Sequence, residues 1–354
     1  MNIRERLHKI FDQPGLLAVD VGGGTQDILL WKPGGPPENA CKMVMPSPTV
    51  LVAREIERYT ERGEPVCLTG VTMGGGACGV AARRHMERGL DLYALPVAAM
   101  TFHDNLDYVR QMGVKIVNEP PPDARVVVMG DLDLERIGGA FARFGVELPG
   151  DVAVALQDHG FSPDQSNRIA RFRYWRGLLD SGSSVRGWVN ADPPATMNRM
   201  QAVRGVCPGS LVLDTGLAAI LGAMLDPAAA RWAKKGYTVV NAGNFHTVAA
   251  LVKGERIHGI YEHHTECLDV ETFAGHLADF QTGRLSHEQV FDSEGHGCAY
   301  SADFPEGDFG RVVITGPQRR SLSLPGFHEA APFGDMMLSG CFGLLLAMYW
   351  LREA

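Results

Sequence analysis

No two cysteines of the chain stand closer than Cys67 and Cys78, so its seven thiols (Cys41, Cys67, Cys78, Cys207, Cys267, Cys298 and Cys341) form no CxxC and no CxxxCxxC. This excludes zinc ribbons, thioredoxin-type redox motifs and iron–sulfur sites carried by closely spaced thiolates. An odd count without a framework suits a reducing compartment. A basic excess is also lacking: 33 Lys+Arg stand against 41 Asp+Glu, for a net charge of −8. That argues against a nucleic-acid partner, which needs a basic face. The longest apolar run, FGLLLAMYWL at 342–351, is too short to cross a bilayer. MNIRERLHKIF at the start reads as a short amphipathic helix rather than a signal peptide. GxxxxGK[ST] does not occur, so P-loop chemistry is excluded. The expectation from these absences is a cytoplasmic chain without a membrane partner.

What is present is ordinary globular material. The 354 residues are 45% hydrophobic, enough for two domains with sizeable cores. The 42 glycines follow no collagen-like period, so they point to tight turns between strands and loops. Strand patterns at LLAVDV (16–21), VCLTG (66–70), RVVVMG (125–130) and DVAVALQ (151–157) alternate with helical patterns at 49–62, 76–89, 133–144 and 166–179. After residue 207 the pattern restarts with GSLVLD, the helix TGLAAILGAML, YTVVNAG, TVAALVKG, a mostly helical 271–291, VVITG at 312–316 and an apolar helix over about 335–350. Alternating strands and helices predict an α/β architecture.

Two segments echo each other 221 positions apart, LLAVDVGGGTQDILL and YTVVNAGNFHTVAALV. Each is a β-branched strand, then Asp20 or Asn241, one residue, Gly22 or Gly243, a tight turn and a returning strand. Such a hairpin lets backbone N–H groups point into a cleft and hold phosphate oxygens. A carboxylate beside bound phosphates, here Asp20, holds Mg²⁺ through water. Two such loops face to face would clamp a triphosphate from both sides.

These motifs resemble the superfamily of actin, the sugar kinases and the heat-shock chaperone ATPases. DVGGGTQD is similar to its first phosphate motif, NAGNFHT stands where the second belongs, and LDTGLAAILGAM resembles its connecting helix. VVITGP resembles the adenosine motif and GDMMLSGCFGLLLA the closing crossing helix. The resemblance implies two actin-like (ribonuclease H-like) domains, at 1–207 with insertions and at 208–354, with an interdomain cleft and the C-terminal helix crossing back. It implies ATP and Mg²⁺ as cofactors, with phosphates held by Gly22, Gly23, Gly24, Thr25, Gly243, Asn244 and His246. Asp20 would organise Mg²⁺ through water and Thr315 and Gly316 would lie against adenine; Asp214, which ends a strand and opens the connecting helix, reads as a helix N-cap or, by the resemblance to sugar kinases, as the candidate base. The departures are Asn241 in place of an acid, Phe245 and His246 in place of small residues, and one Gly in VVITGP. The chain is also similar, at QDHG (157–160), YEHHTE (261–266) and EGHG (294–297), to an uncharacterised prokaryotic family labelled pyruvate formate-lyase activating enzymes. That label requires an iron–sulfur site on three closely spaced thiolates, which this chain does not have.

GGGACG at 74–79 fits GxGxxG, but no acid follows at the distance a dinucleotide fold needs, so a tight turn or cleft lining is the better reading. His159, His246, His263, His264 and His296 all stand in short polar settings. Neighbouring strand side chains face opposite ways, so His263 and His264 cannot both enter one site, whereas Glu262 and His264 can share a face. His264 is a candidate for acid–base chemistry, and His159, Glu262 and His296 for substrate contact. At least two of His159, His264 and His296 are expected to converge on one wall of the cleft, and His246 to face it. The Arg-aromatic helix around Arg171 and Trp175 reads as a solvated or partner face. The functional expectation is an ATP- and Mg²⁺-dependent phosphoryl-transfer enzyme, a small-molecule kinase or phosphohydrolase. The alternatives are a regulatory ATPase that acts on a protein partner by domain closure, and a metal-dependent hydrolase using the His, Asp and Glu side chains.

Overall fold

The computed structural model describes residues 7, 9–182, 184–190, 192–305 and 307–353. Most of the helix expected at the N-terminus lies outside them. The first sheet begins with β1 (Leu16–Val21), β2 (Thr25–Trp31) and β3 (Cys41–Pro46). The chain then builds a separate sheet of four parallel strands, β4 (Val66–Gly70), β5 (Leu92–Ala94), β6 (Lys115–Ile116) and β7 (Arg125–Met129). It returns to the first sheet with β8 (Val152–Leu156) and β9 (Leu211–Asp214). The last sheet holds β10 (Tyr237–Ala242), β11 (His246–Lys253), β12 (Arg256–His264), β13 (Gly297–Tyr300), β14 (Val312–Thr315) and β15 (His328–Glu329).

The first sheet has the order β3-β2-β1-β8-β9 and the last β13-β12-β11-β10-β14-β15. In both, the second strand runs antiparallel to the first, the third returns beside the second, and two parallel strands follow on the other side. Leaving out the edge strand β13, the two sheets share one topology. This is the doubled actin-like (ribonuclease H-like) fold. The boundary expected at 207/208 does not match the strand pairing, because β9 is hydrogen-bonded to β8 and so completes the first sheet.

Six helices place the site: α1 (Pro48–Glu61), α2 (Gly76–Glu87), α3 (Asn167–Asp180), α4 (Asn198–Val206), α5 (Thr215–Ala223) and α6 (Ser339–Glu353). Helix α5 is buried along its length apart from Thr215, and α6 is buried from Ser339 to Trp350. They cross with backbones touching: a Cβ on Gly222 would strike the Ser339 carbonyl, and one on Gly343 the Ala218 carbonyl. Both helices join one continuous core with strands of the first and last sheets, from Leu16 and Ala153 to Val239 and Val313. Among the described residues no helix is long and apolar enough to cross a membrane.

Candidate active site

The turns after β1 and β10 are built alike. Gly22 N–H donates to the Thr25 carbonyl at 2.9 Å, and Gly243 N–H donates to the His246 carbonyl at 3.0 Å. They face each other so closely that the Phe245 ring lies on Gly23, where a Cβ would collide with it, and the Asn244 amide lies over Gly24. Between them is a cavity of about 80 Å³ lined by Asp20, Gly22, Gly23, Thr25, Asp27, Asn241, Gly243, Asn244, Thr315 and Gly316. Gly24 and His246 do not line it.

Antiparallel register sets Asp27 opposite Asp20. Thr215, the first residue of α5, donates its hydroxyl to Asp20 Oδ1 at 2.7 Å, and Gly340 leaves room for Asp20 Oδ2 beside α6. Burial raises the Asp20 carboxyl to about 7, with a further push from Asp214. Burial and the neighbouring Asp20 charge raise Asp27 to about 8. Asp27 Oδ1 is buried with no hydrogen-bond partner. Two adjacent carboxyls, Asp20 half-buried and Asp27 buried with an orphaned oxygen, are a donor set that fits a divalent oxygen-seeking cation such as Mg²⁺.

A second cavity of about 430 Å³ adjoins the first, sharing Gly22, Gly23 and Thr215 with it. Its floor comes partly from the parallel sheet. Thr72 to Gly76 follow β4 and Asp131 follows β7, at the point where the chain connections run to opposite sides of β4. Crevices at such carboxyl ends are where α/β sheets bind ligands. Asp131 takes two hydrogen bonds from Arg199 at 2.8 and 2.9 Å and one from Gly74 N–H at 3.2 Å. The GGGACG segment is thus cleft lining that opens α2.

His159, His246 and His264 line the same cavity. His246 opens β11, His264 ends β12, and His296 precedes β13, so antiparallel pairing brings all three to one sheet edge. His246 and His264 are cross-strand partners. His159 reaches them from the loop after β8. Asp158 holds that loop, accepting from Gly160 N–H and from Arg199 and Met200 N–H at the start of α4, at 2.9–3.0 Å. Ring centroids stand 5.7 Å apart for His159 and His296, 4.6 Å for His264 and His296, and 4.9 Å for His246 and His296. The expected convergence is therefore met by all three imidazoles, with His246 as a fourth. Burial lowers His246 to about 3 and His296 to about 4, and holds His159 well below the usual range. His263 faces away, bonded to the His264 carbonyl and near Ser293.

Two sequence expectations are corrected. Asp214 lines neither cavity and is fully buried. Its Oδ1 caps α5 by accepting from Gly216 and Leu217 N–H, and its Oδ2 accepts from Arg171 at 2.5 Å, so it is engaged as a helix cap and ion partner. Glu262 likewise contacts no cavity: it is buried and accepts from Arg171 at 3.0 Å, Trp175 at 2.6 Å and Gln157 at 3.1 Å. Burial alone would raise its carboxyl, but Arg171, the imidazoles of His296 and His246 and the Trp175 N–H together outweigh this and hold it well below the usual carboxylate range. Helix α3 is consequently no free surface at Arg171, Phe172 or Trp175, which are buried. Sequence reading missed the roles of Arg171, Arg199 and Asp131. An arginine and a tryptophan facing a carboxylate strand were the available signal for the first.

A family model described as "Putative pyruvate format-lyase activating enzyme (DUF1786)" matches residues 73–321, more than half of the chain. No curated protein matches it. Among solved structures, "Lmo2764 protein, a putative N-acetylmannosamine kinase, from Listeria monocytogenes" aligns over 96% of this chain and 99% of its own at 9% identity and a TM-score of 0.36. Ethanolamine utilization protein EutJ from Carboxydothermus hydrogenoformans aligns over 94% and 90%, at 10% identity and 0.31. The activator of the 2-hydroxyisocaproyl-CoA dehydratase from Clostridium difficile, with bound ADPNP, aligns over 96% and 98%, at 8% identity and 0.32.

Proposed function

The chain belongs to the family whose model it matches, and we propose that it is an ATP- and Mg²⁺-dependent phosphoryl-transfer enzyme acting on a small molecule in the cleft. The observation that carries this reading is the pair of turns with the same hydrogen bond facing each other over Asp20 and Asp27. The family's description is not adopted as chemistry. A radical-generating activase holds its cluster on three thiolates, and here the cysteines stand on separate elements, Cys67 in β4, Cys78 in α2, Cys298 in β13 and Cys341 in α6.

Backbone N–H groups of Gly23 and Asn244 hold phosphate oxygens from two sides, those of Gly22 and Gly243 being engaged within their own turns. Asp20 and Asp27 hold Mg²⁺, directly or through water, and Thr215 fixes the rotamer of Asp20. Mg²⁺ supplies neutralisation of phosphate charge, which with positioning is most of what phosphoryl transfer needs. Thr315 and Gly316 line the same cavity and meet the nucleotide beyond its phosphates. The acceptor occupies the larger cavity, where Asn198 and Asp104, joined at 3.2 Å, offer hydroxyl contacts. His264, kept neutral by burial, takes the acceptor proton in place of the engaged Asp214.

The test is nucleotide binding and turnover. ATP with Mg²⁺ is expected to raise the unfolding temperature, and Asp20→Asn to keep the fold while lowering ATP turnover by about 10²-fold or more, the scale of a lost transition-state charge contact. No thermal shift at millimolar ATP and Mg²⁺, or full turnover in Asp20→Asn, would overturn the assignment.

A further inference from the structure

We infer that His159, His246 and His296 bind a divalent transition-metal ion at the wall of the larger cavity, separate from the Mg²⁺ position at Asp20 and Asp27. The first observation is geometric. One ring nitrogen from each of the three lies within 4.8 Å of the others. Zinc–imidazole bonds of about 2.0–2.1 Å put ligand nitrogens roughly 3–3.4 Å apart, so closing onto an ion takes only about 1.5 Å of side-chain movement.

The second observation is unmet hydrogen bonding. His296 is fully buried, and neither of its ring nitrogens has a partner; His246 Nε2 is also buried and unpartnered. Buried polar atoms in folded proteins are normally satisfied. Here three nitrogens are not, and the two rings bearing them belong to the same cluster as His159.

Charge is the third. Beneath the imidazoles Arg171 stands between Asp214 and Glu262, all three buried, so one guanidinium faces two carboxylates. Of the charges around His246 and His296 the Glu262 carboxylate acts most strongly, ahead of Arg171 and of Arg168 on the Gly295 carbonyl, and this favours a cation there. Glu262 is not a ligand, since its oxygens are taken by Arg171, Trp175 and Gln157. Its place is to orient the strand end that carries the histidines, with the His296 N–H bonded to the Glu262 carbonyl at 2.9 Å.

Three imidazoles without thiolate or carboxylate are a donor set for Zn²⁺, Fe²⁺, Co²⁺ or Ni²⁺ rather than Mg²⁺ or Ca²⁺. Three protein ligands also leave coordination positions open, the pattern of catalytic rather than structural sites. Those positions face the cavity that His159 and His246 line, so the ion would take an oxygen donor of the bound substrate or a water. The site goes beyond the phosphoryl-transfer reading and does not depend on it.

The experiment strips the full chain with a chelator, saturates it with Mg²⁺, then titrates Zn²⁺ by calorimetry and Co²⁺ by its visible d–d absorption. One equivalent per chain is expected, with the Co²⁺ spectrum of an imidazole-bound ion. His159→Ala, His246→Ala and His296→Ala should each weaken binding by about 10²-fold or more. His328→Ala, remote from the cluster, and Asp20→Asn should leave it unchanged. Far-UV circular dichroism checks each variant, and His159→Ala, in a loop, decides the matter if His296→Ala does not fold. The site is overturned if the stripped protein binds neither ion, or if folded His159→Ala and His246→Ala variants bind as tightly as the parent.

Discussion

At the residue scale the informative groups are those whose environment contradicts their chemistry. Asp20 and Asp27 are carboxyls raised from 3.8 to about 7 and about 8, first by burial. A raised folded-state value means their contribution to stability is present in full below pH 3.8 and is lost as pH climbs through 7 and 8. Mg²⁺ favours the ionised pair and so opposes that loss. The Mg²⁺-induced rise in unfolding temperature should therefore be small at pH 6 and larger at pH 8.5, as read by differential scanning fluorimetry. Asp27→Asn should flatten this dependence, and an unchanged profile in that variant would remove Asp27 from the cation site. Asp27 stood in the phosphate motif as read from sequence. Its orphaned oxygen did not, because a side chain's lack of partners belongs to the packed structure.

At the element scale the decisive pairing is α3 against β12 and the start of α5. Arg171, at 1% side-chain exposure, holds Glu262 of β12 and the cap Asp214, both at 0%. Removing the guanidinium leaves two buried carboxylates without compensation. Arg171→Met should cost about 3–5 kcal/mol of unfolding free energy, measured by urea titration, while a surface change such as Arg173→Met should cost little. A loss below about 1 kcal/mol would mean that water reaches the pair. Most helices and strands of the chain follow its sequence pattern closely, from Leu16–Val21 to Val312–Thr315. The exception that matters is β12. Its run RIHGIYEHH is broken by charge and glycine, so only its end at Glu262–His264 reads as strand from sequence, yet seven of its nine residues are buried.

At the scale of the whole molecule the two halves meet through α5 and α6. Gly222 and Gly343 allow their backbones to touch, and Gly340 admits the Asp20 carboxylate at the same crossing. Gly343→Ala should force the helices apart and cost about 1–3 kcal/mol or more in a chemical denaturation curve, the range of core overpacking. It should also weaken Mg²⁺ binding, because Asp20 is seated against α6. A variant of parental stability would show that the helices can separate without loss.

The sequence by itself determined the α/β class, the repeated hairpin with its glycine turns and the small residues of the closing helix, because hydrophobic period and glycine turns are local signals. It also excluded a cluster carried by closely spaced thiolates, through spacing alone. Only the tertiary structure decided that Asp214 is a cap rather than a base, that Glu262 is a buried counter-ion, and that the first sheet extends past residue 207. It likewise decided that three imidazoles, at positions 246, 264 and 296, share one edge, with His159 reaching them from the loop after β8. That edge exists because β11, β12 and β13 pair antiparallel, and strand pairing across tens of residues leaves no mark in the residues' own order.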